Sequence, residues 1–257
     1  MTSCMTFLTR QLAVKVPAIT AFFWIIKVLA TTVGETFSDW INETLGFGLV
    51  NTTIVMTIVM IGALAWQLGS KTYRPWLYWS NIVLVSIDGT LITDNLTDGI
   101  GFPLLYSMII FGTLLALTFV IWYRREKSLA MKSINTRERE LFYWLAILLT
   151  FAMGTATGDY LGDALSLGFA VSAVIFGAAI ALVGILWKTR VLGEIAAFWI
   201  AYILTRPLGA SIGDLLAQAP KDGGLGIGTT GTSIIFLVAI LASVSYLALS
   251  KRDQIKA

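Results

Sequence analysis

The sequence predicts an all-α integral membrane protein of eight transmembrane helices, built as four parallel two-helix repeats in a pseudo-fourfold or two-plus-two bundle. Three observations predict it. The first is composition: 57% of the 257 residues are hydrophobic and 13% are charged, where a soluble domain carries about 25% charge. Mean hydropathy is +0.81. The second is a run of apolar stretches at 16–36, 50–68, 76–92, 104–123, 141–158, 170–187, 195–211 and 232–249. Each is close to the ~20 helical residues that cross a hydrocarbon core of about 30 Å. The third is a signature that recurs in every odd-numbered stretch. No connection is long enough for a separate soluble domain, so 1–257 reads as one membrane domain with repeats near 16–70, 71–126, 137–189 and 191–250.

The signature has three fixed offsets. Trp24, Trp79, Trp144 and Trp199 each follow a Phe or Tyr; a glycine stands ten residues on, at Gly34, Gly89, Gly154 and Gly209; an aspartate stands fifteen on, at Asp39, Asp94, Asp159 and Asp214. A small residue precedes each aspartate: Ser38, Thr93, Gly158 and Gly213. The tryptophans are 55, 65 and 55 residues apart, so the middle connection is longer. Each signature helix leads through a glycine-containing turn into a plainer apolar helix, which returns the chain to its starting side. All four aspartates are therefore expected at one side of the membrane.

Charge sets the orientation. Fifteen of the 18 Lys and Arg fall at the tryptophan side and only Lys221 in the opposite loops. The positive-inside rule then makes the tryptophan side cytoplasmic, with both termini inside a cell (inner) membrane. The tryptophans are expected in an interfacial aromatic belt. The basic stretch 124–139 with Glu126, Glu138 and Glu140 reads as a solvated linker between halves. Residues 1–20, with Cys4, Arg10 and Lys15, are too polar for a cleaved signal peptide.

The stretches KVPAITAFFWIIKVLATTVGETFSD, GTATGDYLGD and RPLGASIGD resemble a family of bacterial membrane proteins of uncharacterised function. Its members are made of four tandem two-helix repeats, each with a characteristic tryptophan. The resemblance covers nearly the whole chain. It implies the architecture already described and no particular activity.

A helix turns 100° per residue, so offsets 7, 11, 14 and 15 lie within about 60° of the tryptophan direction. The first signature helix carries Lys27, Thr31, Glu35, Ser38 and Asp39 on that stripe; the third carries Ser86, Thr90, Thr93 and Asp94; the fifth Thr155, Gly158 and Asp159; the seventh Tyr202, Arg206, Gly213 and Asp214. Lipid does not solvate such stripes, so the four signature helices are expected inside and the plainer helices outside. Fifteen helical residues rise about 22 Å, which sets the aspartates in the outer third of the bilayer. The recurrent glycines are candidate points of unwinding. An aspartate near a helix end can also serve as a structural cap. Against caps alone stand additional acids: Glu35 one turn from Asp39, Asp88 beside Gly89, and Asp163 one turn past Asp159. Clustered carboxylates repel unless protonated or neutralised by a cation.

The chain has no histidine and one cysteine. This excludes an internal disulfide, His-ligated haem, zinc or copper, and a His-based triad. No nucleophile–base pair or phosphate-binding glycine motif is present, so no enzymatic activity is expected. The expected site is a carboxylate cluster of Glu35, Asp39, Asp94, Asp159 and Asp214, supported by Asp88 and Asp163. Lys27 and Arg206 are its built-in counter-charges. Oxygen ligands suit hard ions such as Mn²⁺, Mg²⁺ or Ca²⁺. The reading is a cation transporter or permeation pathway, with a divalent cation as its only expected cofactor. The alternatives are a proton-coupled carrier of a small organic solute and a non-transporting membrane scaffold or sensor. The expected partners are the lipid bilayer and a small ion or solute, with a homo-oligomer left open; nothing points to nucleic acid.

Overall fold

The computed structural model of the chain describes residues 14–254, apart from the side chains at 163 and 164. Cys4, Arg10 and Lys256 lie outside the described residues. Eight long helices follow one another: α1 (Ala21–Asp39), α2 (Leu49–Gly69), α3 (Pro75–Asp94), α4 (Leu104–Glu126), α5 (Arg137–Asp159), α6 (Phe169–Lys188), α7 (Glu194–Ala217) and α8 (Gly228–Ser250). Seven are long and apolar enough to cross a membrane. The exception is α3, which carries Asn81, Asp88 and Asp94 among its apolar residues.

The odd helices pack in a closed cycle, α1 on α3, α3 on α5, α5 on α7 and α7 on α1. The even helices lie outside them: α2 packs on α3, α4 on α5, α6 on α7 and α8 on α1. Each even helix thus lies mainly against the odd helix of the following repeat, and the last closes onto the first. Burial follows the same division. In the apolar windows of α1, α5 and α7, 61–67% of residues are buried, against 17–28% for α2, α4, α6 and α8. The outer helices turn Val50, Ile54, Ile58, Ile109, Val174 and Ile234 outward, an apolar surface of the kind lipid covers.

The recurrent glycines make the close crossings, and the helices run unbroken through all four of them. Gly34 faces Ser86, Gly89 faces Phe151, Gly154 faces Arg206 and Gly209 faces Thr31. Every partner stands seven residues beyond the tryptophan of its own repeat, so one contact repeats around the cycle. The expectation of unwinding at these glycines is replaced by tight packing, the common use of small residues between membrane helices. Glycine serves a different end at Gly48 and Gly168, where positive φ values of 81° and 75° start α2 and α6.

Below the crossings lies an aromatic layer. The residue before each repeat tryptophan, Phe23, Tyr78, Tyr143 or Phe198, is buried at the centre, and Phe23 meets Phe198 with ring centroids 5.9 Å apart. The Tyr78 and Tyr143 hydroxyls hydrogen-bond to one another. Trp79, Trp144 and Trp199 are themselves buried, and the Trp199 Nε1–H donates to the Leu129 carbonyl at 3.0 Å. Exposed Trp66, Trp76, Tyr123 and Trp187 sit instead at the same ends of α2, α3, α4 and α6.

Two further expectations are corrected at this end. The first helix starts at Ala21 rather than 16, with the Thr20 hydroxyl accepting from the Phe23 N–H at 3.4 Å. The preceding segment runs beneath the bundle with Lys15 and Val16 buried. Nor is the linker simply solvated. Met131 and Ile134 are buried in the core, and Arg139 Nε lies 2.5 Å from Glu126 Oε2. Glu140 is 1% exposed and pairs with Lys15 at 2.5 Å, while its other oxygen accepts from Gln67 Nε2 at 3.1 Å. Tyr73 donates to Asp253 at 2.5 Å, and burial pushes both groups above their ordinary pKa ranges.

Candidate functional site

The polar stripes of the odd helices meet at the Arg206 guanidinium. Arg206 is fully buried, and Gly154 leaves room for its stem. One terminal nitrogen lies 2.7 Å from Glu35 Oε2. It also donates to the hydroxyls of Thr90 and of Thr155, the latter at 2.6 Å. The other terminal nitrogen donates to the Thr31 carbonyl at 3.3 Å. The Thr90 hydroxyl reaches the same Glu35 oxygen at 3.3 Å. Residues of α1, α3, α5 and α7 therefore converge on one cation. Burying a guanidinium is costly unless it is paired and hydrogen-bonded, and this group has one carboxylate, two hydroxyls and one carbonyl. Its acid partner is Glu35.

One turn outward are the repeat aspartates. Asp39, Asp94 and Asp159 are each the last residue of their α-helix, and a π-helical turn follows each: Trp40–Thr44, Asn95–Gly99 and Tyr160–Ala164. Such wide turns are rare and concentrate at functional sites. Asp214 lies three residues before the end of α7, where the longer loop replaces the π-turn. All four aspartates are half-buried. The side chains of Asp39 and Asp94 make no cap hydrogen bond to the turns that follow them. Glu35, Asp39 and Asp214 bring carboxylate oxygens within 4.8 Å of one another. Asp94 and Asp159 stand at the equivalent ends of α3 and α5, and this end of the bundle is its mouth.

The remaining candidates are placed differently. Lys27 is one turn deeper than Thr31, fully buried, and its Nζ has no hydrogen-bond partner. It sits 4.1 Å from the Phe151 ring centroid and 4.2 Å from that of Tyr202, a double cation–π contact. It pairs with no acid of the mouth. Asp88 faces outward from the cycle: it is fully buried against α2 and accepts from the Thr57 hydroxyl at 2.6 Å. Asp163 lies within the third π-turn, with its side chain outside the described residues. Two apolar clefts, of about 300 and 410 Å³, open on the flanks. One lies among α1, α2, α3 and α8, and the other among α1, α6 and α7 near Trp24 and Trp187. Neither is lined by a mouth carboxylate.

Sequence reasoning missed the buried Lys15–Glu140–Gln67 group, because nothing local distinguishes Glu140 from its exposed neighbour Glu138. It also missed the π-turns. The hydroxyls of Thr90 and Thr155 were on the predicted stripe, but their common partner was not legible.

Tandem repeats, apolar outer helices and a polar interior define an all-helical, multi-pass membrane protein. The chain belongs to the family described as Repeat of Unknown Function (DUF347), whose repeat matches at residues 22–73, 77–128, 142–196 and 197–253. These matches begin 55, 65 and 55 residues apart, the spacing of the repeat tryptophans. No curated protein and no solved structure matches the chain.

Proposed function

We propose that this chain carries a cation across the membrane, binding it in the half-buried carboxylate mouth above Arg206. The proximity of Glu35, Asp39 and Asp214 supports this reading most directly. Three carboxylates so close, with Asp94 and Asp159 beside them, repel strongly in a low dielectric. A hard divalent ion such as Mn²⁺, Mg²⁺ or Ca²⁺ relieves that repulsion, and oxygen-only ligation suits it. In this reading α3 is the eighth span, since the helices beside it leave it little lipid contact. The four repeats are parallel and pseudo-fourfold, as the repeated glycine crossing supports. The basic, tryptophan-rich end is cytoplasmic in an inner membrane and the mouth opens outward.

The packed aromatic layer favours a second reading, in which the protein binds the ion without moving it and serves as a sensor or scaffold. A thermal-shift series across Mg²⁺, Ca²⁺, Mn²⁺ and Zn²⁺ tests the binding shared by both. The wild type is expected to be stabilised saturably by at least one hard ion. Asp39→Asn, which keeps the shape and removes the charge, is expected to lose most of that effect. Equal shifts in the two proteins, or no shift with any ion, would remove the cation reading.

A further inference from the structure

Three of the four inner helices present an oxygen eleven residues beyond their repeat tryptophan: Glu35, Thr90 and Thr155. The fourth has Ala210 there, and one turn earlier on the same helix is Arg206. Its guanidinium fills the centre that those oxygens surround, held by Glu35 Oε2, both threonine hydroxyls and the Thr31 carbonyl. These are the ligand types that hold a hard cation. Among these four ligands only Glu35 carries a negative charge, which matches a monovalent occupant. Arg206 Nε has no hydrogen-bond partner although it is fully buried. Glu35 is also shared with the mouth, where its carboxylate lies within 4.8 Å of those of Asp39 and Asp214.

We propose that the centre of the helix cycle is an inner station for a monovalent, hydrogen-bond-donating cation, occupied in this conformation by the guanidinium of Arg206 as a tethered occupant. A cation arriving at the mouth then competes with Arg206 for Glu35, which couples ion binding to release of the plug. That coupling rests on the cation reading of the mouth; the inner station rests on the oxygen cage alone. A buried guanidinium carries five N–H donors, so one carboxylate alone would not satisfy it. What marks the cage as a feature of the repeat is that Glu35, Thr90 and Thr155 stand at one equivalent position on three helices, while the fourth helix supplies the occupant.

The station is tested by emptying it and supplying the missing group. Purified Arg206→Ala is melted in detergent with added guanidinium, methylguanidinium, K⁺ or Mg²⁺ at matched ionic strength, beside the wild type and the double variant Arg206→Ala with Glu35→Gln. Arg206→Gln, which keeps polar bulk, replaces Arg206→Ala throughout if the latter does not assemble. Low-millimolar guanidinium is expected to raise the melting temperature of the single variant saturably, by several degrees. K⁺ is expected to act more weakly and Mg²⁺ not at all. The wild type, whose station is full, and the double variant, whose carboxylate is gone, are expected not to respond. A single variant indifferent to guanidinium, or a double variant that responds equally, overturns the station. The coupling is read from Mn²⁺ binding, expected about tenfold tighter in Arg206→Gln than in wild type; equal affinity overturns it. Guanidinium rescue without Mn²⁺ binding in any variant would sink the mouth reading and leave the station standing, while Mn²⁺ binding without rescue would do the reverse.

Discussion

Replacing Gly89 by alanine puts a methyl group where the fold has no room for one. An added Cβ would stand 2.5 Å from Phe151 Cβ and 3.1 Å from the Ala152 nitrogen. Carbon atoms settle about 3.5–4.0 Å apart, so α3 and α5 must separate locally by roughly 1 Å. Phe151 Cβ is fixed to its backbone, so no rotamer change relieves the contact. Overpacking of this kind costs about 1–3 kcal/mol. The helix itself gains up to about 1 kcal/mol from Gly→Ala, so the net loss expected is up to about 2 kcal/mol. The control is Gly177→Ala in α6, where nothing lies within 4 Å and only the helical gain applies. The two variants should therefore shift stability in opposite directions. Thermal or denaturant unfolding in detergent measures both. If Gly89→Ala is as stable as Gly177→Ala, the close crossing of the inner helices is wrong, and with it the repeated contact around the cycle.

Three other perturbations probe the buried charges. Glu35→Gln leaves the Arg206 guanidinium without its counter-charge and is expected to cost about 3–5 kcal/mol, read as a lowered unfolding midpoint; a loss under 1 kcal/mol contradicts the pairing. Lys27→Met removes an amine that has no hydrogen-bond partner among the described residues, and its aromatic neighbours accept a thioether well. The variant is expected to be as stable as the wild type or more so, and a large loss would contradict the unpaired placement of Lys27 among the described residues. Glu140→Gln should cost about 3–5 kcal/mol because Lys15 is buried with it. Glu138→Gln, in the exposed pair with Arg125, should change stability by at most about 1 kcal/mol; similar losses in the two would mean that the Lys15 segment does not dock beneath the bundle.

The architecture was largely legible because its repeat is written in residue types with few alternative uses. A polar stripe beside Trp24, Trp79, Trp144 and Trp199 cannot face lipid, so the inside and outside helices follow from periodicity. The glycines were found by spacing but misread in role, because a helical glycine permits unwinding and close approach equally well. Only the partner, such as Phe151 against Gly89, decides between them. The tryptophans were misplaced for a similar reason. Their position near the basic end fits a belt, yet the aromatic residue before each one fills the axis, and the indoles of Trp79, Trp144 and Trp199 are buried beside it while Trp24 is half-buried. The convergence of Glu35, Asp39 and Asp214 follows from parallel repeats, whereas Asp88 shows the limit of proximity in sequence. One residue from Gly89, it is rotated by 100° and faces α2. The hydrogen bonds of Arg206 needed three dimensions, since Thr31, Thr90 and Thr155 stand 175, 116 and 51 residues away from it in the chain.

Uptake of radiolabelled Mn²⁺ into proteoliposomes containing purified protein, with Asp39→Asn as the paired variant, tests the cation-carrier reading most directly. The wild type is expected to load the vesicles in a saturable, time-dependent manner above empty liposomes. Asp39→Asn, reconstituted to the same density and eluting as the same species, is expected to fall at least tenfold. Binding without uptake in the wild type would leave the sensor reading in its place. Uptake by Asp39→Asn equal to the wild type would contradict the assignment of the mouth carboxylates as the ion's ligands.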